Sequence, residues 1–80
     1  MPKIDITPYI DKDIRETTLN EATIVIEGKN KFLDMKFNNK LTRKEKIIFS
    51  SIIGENLLKN MELNSDFGNE FNGMSIRIVD

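Results

Sequence analysis

Eighty residues with a net charge of −1 allow one small domain and leave little room for a catalytic cleft. The chain has no cysteine and no histidine, which excludes disulfides and thiolate metal sites and removes the commonest general base and metal ligand. No apolar run reaches the length of a signal-peptide core or a membrane span, so the expectation is a cytoplasmic protein without membrane contact. Met1 fits a complete short reading frame. Abundant Ile, Asn and Lys beside a single alanine, Ala22, fit an AT-rich coding sequence such as those of low-GC bacteria and their phages.

Residues 1–21 carry mixed signals. Lys3–Ile6 fits a short strand ended by Thr7-Pro8. Ile10 and Ile14 are spaced for one helical turn, with Asp11, Lys12, Asp13 and Arg15 facing water. Thr17, Thr18 and Asn20 favour an extended exit. Ala22–Glu27 is richer in β-branched residues, which are stiff at χ1 and suit a pleated surface. Gly28-Lys29-Asn30 reads as a turn. Phe32–Phe37 reads as the returning strand of an antiparallel hairpin, with Leu33, Met35 and Phe37 on one face.

Asn38-Asn39-Lys40 breaks that strand. Thr42 and Glu45 then have the spacing of a capping box, in which each side chain accepts the other residue's backbone N–H. The helix is expected to run to about Leu63, roughly 30 Å at 1.5 Å per residue. A polar loop over Gly68–Gly73 leads to a last strand, Met74–Val79. These elements predict an α+β fold of order (β/α)-β-β-α-β. A small antiparallel sheet of three or four strands carries one long helix on one face.

The helix has more apolar surface than one small sheet covers. Phe49, Ile53, Leu57 and Met61 form an i, i+4 stripe, Ile47 and Leu58 widen one edge, and Ile48 and Ile52 lie beyond the other. Two explanations are open. The N-terminal segment, with Ile4, Ile6, Tyr9, Ile10 and Ile14, folds over the remaining arc, or part of the arc meets a second copy or another protein. The second makes Ile48, Ile52 and Leu58 candidate partner-binding residues. Phe67 and Phe71, in or beside the Gly/Asn-rich loop, are two more candidates, against the alternative that they tuck beneath it.

Charge is unevenly distributed. Between Lys29 and Lys46, seven cations face two acids, giving +5, while residues 1–28 and 47–80 each carry −3. Lys40, Arg43, Lys44 and Lys46 surround the helix start, where the helix dipole is already positive and acids are preferred. They are candidate partner-binding cations for an acidic protein surface or a phosphate backbone; the alternative is a solvated, solubilising face.

Leu41-Thr42-Arg43-Lys44-Glu45 is similar to the opening of the first helix in some helix-turn-helix regulators. The long helix that follows leaves no turn and no recognition helix, and no family is assigned. Nothing in the sequence matches an EF-hand, a P-loop, a dinucleotide fingerprint or an activated nucleophile. Asp11, Asp13 and Glu16 read as a solvated acidic face. No catalytic residue, cofactor site or metal site is assigned, and the expectation is a protein that is not an enzyme.

Two functions fit these residues. The first is a small protein-binding module, an inhibitor or adaptor, that also forms a homo-oligomer through the long helix. The alternative is a nucleic-acid-binding accessory or regulatory protein that uses the Lys29–Lys46 surface.

Overall fold

In the computed structural model, which describes residues 2–67 and 73–79, the chain opens with β1 (Lys3–Asp5), a 3-10 turn (Thr7–Tyr9) and α1 (Lys12–Thr17). It continues through β2 (Leu19–Glu27), β3 (Asn30–Phe37), α2 (Arg43–Leu58), α3 (Met61–Phe67) and β4 (Met74–Val79). The fold is α+β, with the long helix packed on one face of a four-stranded sheet of order β1-β2-β3-β4.

The β2–β3 hairpin closes through Gly28, whose φ of 61° is a conformation that a side chain would strain. Its antiparallel register sets Ala22 opposite Met35 and Ile24 opposite Leu33, which places their apolar side chains on the helix face. Thr23 with Asp34 and Val25 with Phe32 fall on the other face. A register shift between Leu19 and Glu21 lets Leu19 rejoin the core face, and Leu19 is fully buried. The core is Ile6, Ile10, Leu19, Ala22, Ile24, Leu33, Met35, Phe37, Ile53, Leu57 and Leu63.

The expectation of a wholly antiparallel sheet needs one correction. β4 pairs with β3 in parallel, Leu33 opposite Ile76 and Met35 opposite Ile78, so the sheet is mixed. The reason is the crossover. The helices between β3 and β4 return the chain to the end where β3 began, as neighbouring parallel strands require.

α2 starts with the expected capping box. Thr42 N–H donates to Glu45 Oε1 at 2.9 Å, and Glu45 N–H donates to Thr42 Oγ1 at 3.2 Å. Hydrogen bonding to the carboxyl by Thr42, through its backbone N–H first and its side chain second, holds Glu45 below its ordinary pKa. The box therefore stabilises the fold at neutral pH. Its contribution fades as pH falls through that lowered value, because protonated Glu45 is a poorer acceptor. Thr42→Ala is expected to cost about 1 kcal/mol, read by urea denaturation at pH 7, with a smaller difference in acid.

The single helix expected to reach Leu63 is two helices. α2 ends at Leu58, and Asn60 caps α3 by accepting the Leu63 N–H on Oδ1 at 2.9 Å. The break takes Met61 out of the buried stripe: it is 87 % exposed, and Leu63 is fully buried instead.

The N-terminal segment is tied down at both ends. Ile6 N–H donates to the Ala22 carbonyl, and Ala22 N–H donates to Thr7 Oγ1. Tyr9 then reaches α3. Its hydroxyl donates to Asp66 Oδ2 at 2.7 Å, and its ring meets Phe67 edge-on with centroids 6.1 Å apart. The bond to Asp66, with burial adding to it, holds the Tyr9 hydroxyl above its ordinary pKa.

Candidate functional site

α2 presents three surfaces. Ser50, Ile53, Gly54 and Leu57 face the sheet and are buried. One flank faces the N-terminal segment, where Tyr9, Ile10 and Ile14 oppose Ile53, Asn56 and Leu57 across a groove of about 360 Å³. The first explanation for the broad apolar arc, cover by the N-terminal segment, therefore holds for this flank. It does not extend to the rest. Ile47, Ile48, Ile52 and Leu58 keep between 50 and 54 % of their surface exposed. Leu58 and Ile47 lie on the flank beside β4, and Ile48 and Ile52 point away from the sheet.

Among the described residues β4 is an edge strand, bonded to β3 alone. Its Ile76 is 45 % exposed, and its Val79 is 36 % exposed. α2 sits unusually low over this strand: a Cβ on Gly54 would lie 2.8 Å from Ile76 Cδ1 and 3.9 Å from Met35 Cε. The helix thus rides above β4 and β3 together, and its Leu58 flank overlooks the sheet edge. A groove of about 260 Å³ runs there between Ser51, Gly54 and Leu58 of α2 and Met74 and Ile76 of β4. Sequence reading missed Ile76 and Val79, because nothing local to 74–79 says that this strand ends a sheet.

The charge on β4 is turned inward. Arg77 donates from Nε and Nη2 to the two Asp34 oxygens at 2.6 and 2.9 Å. It also stacks 3.8 Å above the Phe32 ring and lies 3.7 Å from Glu27. Asp34 first, then Glu27, hold its guanidinium above its ordinary pKa, against partial burial. The side chain therefore lies back across β3 and β2 on the uncovered sheet face.

The basic block divides. Lys29 is at the β2–β3 turn, and Lys40, Arg43 and Lys44 are at the other end of β3, so the eight-residue strand holds the two groups ~23 Å apart. Lys40, Arg43 and Lys44 are exposed, and none forms an ion pair with a described residue; Lys46 is partly buried. The capping box occupies two of the N–H groups that an anion at this helix start would use.

Of the two aromatic candidates, Phe67 ends α3 and packs against Tyr9 at the rim of the core, so it is held within the fold. Phe71 lies outside the described residues. Among the described residues, no three or more acidic side chains gather as a metal site would need. No helix there is long and apolar enough to cross a membrane.

Fold and surface together define a small α+β protein whose most distinctive exposed feature is an apolar helix flank beside an open sheet edge. No protein-family model matches the chain, and neither a curated protein nor a solved structure is significantly similar to it.

Proposed function

We propose that this is a non-enzymatic protein-binding module of the cytoplasm, an inhibitor or adaptor, that acts by protein–protein contact and associates with itself. The observation that carries the reading is the half-exposed aliphatic flank of α2, Ile47 and Leu58, with Leu58 beside the exposed Ile76 of the edge strand. Half-exposed large aliphatic groups forgo about 1 kcal/mol each of burial, and a cluster of them marks an interaction surface. Sedimentation velocity on the wild-type chain from low micromolar to millimolar concentration tests it. A mass rising with concentration from 9.3 kDa toward twice that value is the expected result. A monomer throughout would remove self-association from the reading.

A second reading is nucleic-acid binding, favoured by one observation: Lys40, Arg43 and Lys44 are exposed and without an ion pair among the described residues. Phosphate contacts would weaken log-linearly with salt, and Arg43→Ala with Lys44→Ala would flatten that slope. No binding to duplex or single-stranded nucleic acid at low salt would eliminate it.

A further inference from the structure

We infer that two copies of this chain join edge to edge through β4, antiparallel about a two-fold axis, forming one eight-stranded sheet with both α2 helices side by side on the same face. The inference rests on the self-association proposed above and specifies its geometry.

The first support is the difference between the two edges of the sheet. β1 carries the features that block strand addition: it is three residues long, preceded by Pro2, and has the charged Lys3 and Asp5 on its outer face. β4 has none of them. It is six residues long, Met-Ser-Ile-Arg-Ile-Val, without proline, lysine or bulge. Its one charge, Arg77, is engaged by Asp34 and drawn back over its own sheet. An unblocked edge of this kind offers a row of unpaired N–H and C=O groups to another strand.

The second support is the position of α2. A Cβ on Gly54 would meet both Ile76 of β4 and Met35 of β3, which places the helix over the last two strands. With strands ~4.8 Å apart, a two-fold at the β4 edge would put each helix ~5 Å from the axis and the two helices ~10 Å apart, a normal helix-packing distance. The flanks brought together are those left uncovered, with small Ser51 near the crossing and Ile47 and Leu58 to either side. Glu55, also on this flank, already holds Lys59 at 3.2 Å, so it brings little uncompensated charge.

The register follows from the faces. Side chains opposite one another in an antiparallel pair share a face, and both helices are on one face, so a residue on the axis must pair with its own copy. Centring on Arg77 would oppose two arginines. Centring on Ile76 sets Ile76 against Ile76, Met74 against Ile78 and Ser75 against Arg77, which keeps the apolar residues together under the helices.

Because the sequence lacks cysteine, one introduced thiol reports the register directly. The Ile76→Cys variant is expected to form a disulfide-linked dimer under mild oxidation, and the Val79→Cys variant, with its thiol removed from the axis, is not. Ile52→Glu, which changes a side chain on the outer surface of α2, is expected to leave the dimer dissociation constant within twofold of the wild-type value. If the wild type dimerises while the Ile76→Cys variant stays uncrosslinked and Ile52→Glu dissociates the dimer, the copies meet through the outer helix surface. Strand pairing is then wrong, and the protein-binding reading survives. If the wild type is monomeric at millimolar concentration, self-association and strand pairing fall together.

Discussion

Phe37→Ala is expected to lower the unfolding free energy by about 3–5 kcal/mol, a large share of what a domain of this size possesses. Phe37 is 2 % exposed and ends β3, where it opposes Leu19 in the core. It belongs to the core cluster, and just beyond it Asn38 N–H bonds to the Thr18 carbonyl and ties the end of β3 to the start of β2. Truncation leaves a cavity that rigid strand backbone cannot collapse to fill. Urea denaturation followed by circular dichroism gives the difference. A loss under about 1 kcal/mol would mean that the core is organised elsewhere.

Leu58→Glu is expected to weaken self-association at least about a hundredfold, equivalent to ~2.7 kcal/mol, while leaving the monomer folded. Leu58 is 54 % exposed, so a carboxylate there stays hydrated in the monomer and costs little. In the paired form it would lie on the helix flank that faces the other copy, close to apolar groups and with no cation assigned to it. Sedimentation equilibrium on the variant measures the constant, and circular dichroism checks the fold. An unchanged constant would place the contact away from the β4 flank.

Much of the fold was legible because its signals are local. The Thr42–Glu45 box needs only four residues to be recognised, and both of its bonds form. Met74–Ile78 alternates between apolar and polar positions, and the bounds of the strand in the structure, Met74–Val79, are those expected. What escaped depends on residues distant in sequence. The parallel pairing of β4 follows from where the crossover delivers the chain. The packing of Phe67 depends on Tyr9, fifty-eight positions earlier. The helix break at Asn60 did have a local signal, since asparagine is a good N-cap, but the continuing apolar period through Met61 and Leu63 masked it.

The candidate surface divides the same way. The excess of apolar residues on α2 was readable from spacing, and Ile48, Ile52 and Leu58 are among the half-exposed residues. Which flank stays open was not readable, because it depends on the N-terminal segment docking on one side and on β4 being an edge. The basic block looked continuous only along the chain, since β3 runs between its two ends.

Amide hydrogen exchange measured at several protein concentrations tests the β4 edge as the contact surface most directly. Strand pairing predicts that protection of residues 74–79 rises with concentration, together with that of α2 around Ser51, while β1 amides stay unchanged. Protection that is independent of concentration in β4, or that rises instead around Lys40–Lys46, would contradict it.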